Sequence, residues 1–259
     1  MLLIDTHCHL NYDYAPKTAD DLVREAREAG VEKLITIGTD IDSIDAIQKI
    51  SEQYENVYHT LGVHPHDVEK ISDQDLGILE KRAQHPKCKA IGEIGLDYYY
   101  EHSQRQVQIQ RLEQQLELAL KLQLPVVIHS RDGEDDLLVA LRHYCGKLKN
   151  GKIPGVIHCF TGTIPFGQQC IDLGFYISFS GILTFKNAED VRAAARLFPM
   201  ERLLVETDSP YLAPVPFRGK KCEPAMVKFT AQKLAEVKGM GVDEVAAKTT
   251  ENAQRVFGI

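Results

Sequence analysis

A parallel (β/α)8 barrel with an extra helix at its C-terminal end is the fold the sequence predicts, on three observations. Eight short runs rich in β-branched residues recur along the chain, and longer stretches of helical periodicity separate them. No GxGxxG motif follows the first run, as an open, dinucleotide-binding doubly wound sheet would require.

The predicted strands cover residues 2–4, 33–37, 57–63, 88–94, 125–129, 155–158, 175–179 and 203–208. The clearest helix runs over about residues 103–122, with Ile109, Leu112, Leu116 and Ala119 on one face. A capping box is expected at its start, with Ser103 capping and Gln106 reaching back. Thr18 with Asp21 and Ser72 with Asp75 repeat the device at two earlier helix starts. The extra helix is expected over about 242–257. No Pro/Gly-rich linker, repeat or low-complexity segment interrupts this rhythm, so residues 1–259 are read as a single domain.

At 259 residues, 44% hydrophobic and 26% charged, the chain can bury a sizeable core. The opening MLLIDTHCHLNYDYAP has neither the basic nor the long apolar region of a signal peptide, and no run reaches the length of a membrane span. A soluble, cytoplasmic protein with no membrane association and no obligate protein partner is the expectation. The six cysteines include no CxxC pair, so reduced thiols are expected. A net charge of −7 excludes the broad basic face of a nucleic-acid module, so any polyanion must be held locally.

Chemistry concentrates at the strand ends. His7 and His9 stand at i, i+2 after an apolar strand, which projects both imidazoles to one side. An isolated HxH is more often a surface or core pair, but His64, His129 and His158 also fall at or just past strand ends. The C-terminal rim of a (β/α)8 barrel is where active sites assemble from several strands. Glu93, Glu206 and Asp208 occupy the same level, giving a mixed N/O site that suits Zn, Mn, Fe or Ni better than Mg alone. Alternation turns Cys8 and Cys159 toward the helix layer, so thiolate ligation is not expected. It also turns Leu204, Glu206 and Asp208 inward, and Asp5 inward beneath His7. Asp5 then accepts a hydrogen bond either from a ligand imidazole or from a structural network below it.

The ordered motifs DTHCHL, GVHPH, IGEIGLDYYY, PVVIHSRD, VIHCFTG and VETDSPYLAPVPFRGKKCEPA resemble the TatD family of metal-dependent deoxyribonucleases, among the amidohydrolase-like barrels. The likeness runs from His7 to the final NAQRVF. It implies one metal held by His7, His9, Glu93 and Asp208 and a second held by Glu93, His129 and His158, with Glu93 as the bridge. Many amidohydrolases bridge with a carboxylated lysine; strand four offers no lysine at the rim, so Glu93 must serve.

Two divalent ions can activate water near neutral pH, orient a phosphoryl or carbonyl oxygen and stabilise the leaving oxygen. With two ligand carboxylates they leave the mouth locally cationic. Arg131, Arg218, Lys220 and Lys221 could hold phosphates, with solvated loop charge as the alternative for the two lysines. His64, not needed as a ligand, is a candidate for a phosphate contact or proton transfer, and Glu206 is a further catalytic candidate. His66 and the tyrosines at 98–100 could line a groove where rings stack on bases, although packing is the role expected of the tyrosines. The function expected is a deoxyribonuclease acting on single-stranded DNA or DNA ends, a 3′–5′ exonuclease as the family suggests. The alternative is a deacylase or amidase, such as one removing D-amino acids from aminoacyl-tRNA. A non-catalytic metal-stabilised binding protein is a third reading, and the spare rim groups His64 and Glu206 argue against it.

Overall fold

In a computed structural model, which describes residues 2–259, eight parallel strands follow one another around a nearly closed barrel in the order of the chain. They are β1 (Leu3–Cys8), β2 (Val31–Ile37), β3 (Val57–Leu61), β4 (Cys88–Asp97), β5 (Val126–Arg131), β6 (Gly155–Ile157), β7 (Tyr176–Phe179) and β8 (Leu203–Val205). Helices α1 (Ala19–Glu28), α2 (Ile44–Gln53), α3 (Asp73–Arg82), α4 (Arg105–Leu122), α5 (Glu134–Lys147), α6 (Ile164–Asp172), α7 (Glu189–Leu197) and α8 (Val227–Lys238) return the chain between and after the strands. The extra helix is α9 (Val242–Phe257). The amides of His9 and Asp208 donate to the carbonyls of Ser209 and His7 at 2.9 and 2.8 Å, joining the first and last strands. No helix of the described residues is long and apolar enough to cross a membrane.

The apolar residues sort into two layers. Ile4, Ile35, Ala90, Val127, Val156, Tyr176 and Leu204 fill the barrel interior, and Ala253, Val256 and Phe257 of α9 pack against them. The larger cluster, including Leu3, Leu34, Leu112 and Phe166, lies between strands and helices. Volume filled by branched side chains from successive strands is what makes such a barrel a core and not a pore.

This sorting corrects one expectation. Ile4 lines the interior, so Asp5 faces outward, beside Thr207. From Asp5 to Cys8 strand β1 advances three residues while its partner β2 advances two, from Leu34 to Thr36. The extra residue is a bulge, and it reverses the parity between Asp5 and His7. Asp5 accepts the Thr207 amide and hydroxyl at 2.9 and 2.6 Å and takes nothing from a ligand imidazole. It is the structural alternative that holds.

The capping boxes of Thr18 with Asp21 and Ser72 with Asp75 form as read. The one at Ser103 does not: α4 begins after Gln104, and the Ser103 hydroxyl donates to the His66 carbonyl at 3.1 Å. On α4, Leu112, Leu116 and Ala119 are buried as expected, but so are Gln108 and Gln115. The Gln108 amide receives the Asp97 N–H at 2.8 Å and donates to the Asp97 carbonyl at 3.0 Å, while Gln115 pairs both backbone groups of Val63. A buried strand-end amide left unpaired would cost about 1–3 kcal/mol, so these side chains fasten α4 to the mouth ends of β3 and β4.

Strands β4 and β5 approach closely at Gly95, whose φ is 150°. A Cβ there would stand 1.9 Å from the His129 carbonyl oxygen. Gly95→Ala should lower the unfolding free energy by about 2–3 kcal/mol, read as a lower urea midpoint. An unchanged midpoint would mean that β5 yields freely at this contact.

Candidate metal centre

The C-terminal ends of the strands deliver six donors to one place: His7 within β1 and His9 just past it, Glu93 in β4, His129 in β5, His158 directly after β6 and Asp208 in the loop after β8. Among the described residues three donor groups form, each with ligand atoms within 4.8 Å of one another: His7 with His9 and Asp208, His7 with Glu93 and His158, and His64 with Glu93 and His129. All of these donors except the fully buried His7 line a cavity of about 660 Å³. A larger cavity of about 830 Å³ near the C-terminal residues 255–258 holds none of these donors among its described lining residues, so the metal chemistry belongs to the smaller one.

Orientation of the imidazoles follows a pattern. His9 turns Nδ1 to the Ile37 carbonyl at 3.3 Å and Nε2 to Asp208 at 3.3 Å. His158 turns Nδ1 to Glu206 at 3.3 Å and Nε2 to Glu93 at 2.8 Å. His129 turns Nε2 to Asp97 and Nδ1 to Glu93, both at 3.1 Å. One nitrogen of each ring thus has an acceptor for its proton, which fixes the tautomer and aims the other nitrogen's lone pair at the carboxylate centre. Lone pairs facing carboxylate oxygens call for a cation between them. His7 makes the same point: it is fully buried, and neither ring nitrogen has a hydrogen-bond partner among the described residues although Nε2 lies 3.4 Å from Glu93 and 3.6 Å from Asp208. The residues fit a divalent metal.

Protons can stand where the cation would: burial would lower the His158 and His129 imidazoliums, but the carboxylates of Glu93, Glu206 and Asp97 hold both above the ordinary range. Burial alone would raise the Glu93 carboxyl, yet the imidazoles of His158 and His64 hold it well below the usual carboxylate range. Burial also opposes ionisation of Asp208, and the neighbouring imidazoles of His9 and His7 reverse that. Burial and then the neighbouring His158 push the His7 imidazolium down, which favours the neutral ring and leaves the lone pair of one nitrogen free.

His64 differs from the other rings. Its Nδ1 accepts the His66 amide at 3.1 Å, so the neutral ring carries its proton on Nε2, 3.5 Å from Glu93. That leaves a donor, not a lone pair, facing the centre, despite its membership of a donor group. Glu206 lies behind His158 with no exposure; it also accepts the Cys159 amide at 2.8 Å. Buried there, it can orient His158 but cannot touch a substrate. Cys159 departs from expectation: its φ of 43° breaks the strand alternation and brings it to the cavity wall, its sulfur 3.2 Å from the Ser180 hydroxyl.

Arg131 lines the cavity; Arg218 does not, because its guanidinium stacks 3.8 Å over Phe185 and donates to the Ala213 carbonyl. Sequence reasoning passed over Asp97. Its Oδ2 is shared by His129 and His66 at 3.1 and 2.9 Å, and its Oδ1 accepts the amides of Tyr99 and Tyr100. The only sequence signal was its place four residues after Glu93 at a strand end. Of the tyrosines, Tyr98 packs as expected, whereas Tyr99 and Tyr100 are 59% and 51% exposed.

Residues 4–258 match the model of the family described as TatD related DNase. An uncharacterized metal-dependent hydrolase of Escherichia coli K12, YcfH, is 40% identical over 266 residues, covering 100% of this chain and 97% of that protein. The 3'-5' ssDNA/RNA exonuclease TatD of Erwinia tasmaniensis is 33% identical over 263 residues, covering 99% of this chain and all of that protein. The crystal structure of YJJV, a TatD homolog from Escherichia coli K12, superposes with a TM-score of 0.91 at 31% identity, covering 99% and 98% of the two chains.

Loss of the carboxylate charge behind His158 should be felt at the metal. Glu206→Gln should weaken divalent-metal binding about 10- to 100-fold without unfolding the barrel, measured by competition with a chromophoric chelator. Wild-type affinity in a folded variant would remove Glu206 from the support of the centre.

Proposed function

This chain belongs to the TatD-related DNase family of metal-dependent hydrolases, and we propose that it is a deoxyribonuclease that cleaves phosphodiester bonds of single-stranded DNA or DNA ends as a 3′–5′ exonuclease. The observation that supports this reading most is the Glu93 carboxylate, shared between donor groups on both sides of it and backed by oriented imidazoles. In the reading, His7, His9, Glu93 and Asp208 hold one divalent ion, and Glu93, His129 and His158 hold a second. Bound ions of this kind supply Lewis-acid polarisation of a phosphoryl oxygen and make water a competent nucleophile near neutral pH. The name of the Erwinia relative favours a nucleic-acid substrate.

The chain's own side chains do the rest. Two divalent ions would about balance the carboxylates of Glu93, Asp97, Glu206 and Asp208, so the mouth is less cationic than the ligand carboxylates alone suggest. Attraction for a phosphate then falls to Arg131. It makes no ion pair among the described residues, and its donor fork matches two phosphate oxygens. His64, with Nε2–H directed at the centre, can donate to a phosphoryl oxygen as negative charge develops.

Metal analysis of the loaded protein should find two equivalents per chain. Glu93→Ala should lower turnover at saturating metal more than Asp208→Ala, since the first disturbs both ions and the second only one. A ceiling of one equivalent, or equal losses in the two variants, would count against a shared carboxylate.

Arg131→Ala should weaken binding of single-stranded DNA and flatten its salt dependence by about one counterion, with metal content intact. His64→Ala should chiefly lower turnover. End-labelled single-stranded DNA and a D-aminoacyl-tRNA, each assayed with Mn, Mg and Zn, provide the readout. Cleavage of the aminoacyl ester without cleavage of DNA would replace this reading with a deacylase. Variants that lose metal would make both residues structural.

A further inference from the structure

The cavity around the metal centre is walled by aromatic rings on two sides. Near β1 and β8, Tyr12 stacks on His9 with centroids 4.7 Å apart, and Tyr211 meets Tyr12 edge-on. Near β4 and β5, Tyr100 stands over His66 and beside Arg131. Since the eight strands follow chain order, these walls are diametrically opposed across the mouth.

The second wall is built for a ligand. Tyr100 is half exposed, yet its position is held from below, where Asp97 accepts its amide at 2.9 Å and also grips His129. The Arg131 guanidinium carbon lies 4.1 Å from the Tyr99 ring and 4.8 Å from the Tyr100 ring, on the partition between the metal cavity and an adjoining one of about 820 Å³. That neighbour is lined by Asp132, Glu134, Asp135 and Asp136. Glu134 is engaged by the Thr163 amide and hydroxyl, and Asp136 by the Tyr98 hydroxyl. Asp132 and Asp135 are exposed and make no ion pair among the described residues, even beside an unpaired arginine.

We propose that Tyr100 and Arg131 hold the terminal nucleotide of a single strand, its base stacked on the Tyr100 ring, and that the carboxylates beyond Arg131 bar a continuing phosphate backbone. The site then accepts ends and rejects internal stretches. This rests on the nuclease reading and adds to it the side of the mouth where the strand stops. Stacking tolerates any base because every base has a π-face. The carboxylates lie within a Debye length, about 8 Å at physiological ionic strength, of any phosphate crossing the partition, so their repulsion is not screened away.

The test uses the Mn-loaded full chain with a linear single strand and a circle of the same sequence. Wild type should degrade the linear strand and spare the circle. Asp132→Asn with Asp135→Asn should raise circle cleavage relative to linear cleavage about tenfold; asparagine suits the left-handed φ of 57° at position 132. Tyr100→Ala should weaken binding of a 5′-fluorescein oligothymidylate about tenfold, read by anisotropy, and Tyr100→Phe should restore it. A strand whose 3′-terminal residue is abasic should bind equally to wild type and Tyr100→Ala. An unchanged circle-to-linear ratio, or a Phe variant as weak as the Ala variant, overturns the proposal while leaving a nuclease. A wild-type protein that neither binds nor cuts either strand overturns the nuclease reading itself.

Discussion

A single buried carboxylate sets the requirements that the rest of the mouth meets. Glu93 is 4% exposed, and removing an ionised carboxylate from water is prohibitive unless positive charge and hydrogen bonds replace the solvent. The imidazoles of His7, His64, His129 and His158 all approach it within 3.5 Å. They come from strands or loops on different sides of the barrel, so the closed sheet is the condition for assembling them. The glycine at 95, which lets β4 and β5 draw together, serves the same end by fixing Glu93 against His129.

Around this centre, behind the imidazoles, lies a layer of acceptors. Ile37 through its carbonyl, Asp97 and Glu206 each take the far proton of one imidazole. Asp97 does more, because its second oxygen holds the amides of Tyr99 and Tyr100. Gln108 in turn holds both backbone groups of Asp97 from within α4. A continuous chain of hydrogen bonds therefore ties the helix layer to the metal centre and the centre to the aromatic wall. Such a chain positions its members more firmly than isolated contacts would.

Much of this was legible in one dimension. The alternation of strand and helix, the histidines at strand ends, two of three capping boxes and the C-terminal helix over 242–257 are all properties of short segments. Their signals are local because hydrogen bonds to the third or fourth neighbour and the two-residue alternation of strands act within a few residues. The third capping box failed for a non-local reason: the Ser103 hydroxyl has a better acceptor in the His66 carbonyl, 37 residues away.

By itself, then, the sequence determined the barrel, the level at which the candidate site sits and the six donor side chains that converge there. Only the tertiary structure decided which way the remaining groups face. A bulge in β1 sends Asp5 outward while His7 points in, and a left-handed residue carries Cys159 to the cavity. Phe185 draws Arg218 away from the mouth, and His158 screens Glu206 from it. Asp97 acquired its part from partners on other strands and loops. Each of these outcomes depends on register and contact between residues distant in the chain, and side-chain periodicity within one segment carries no information about them.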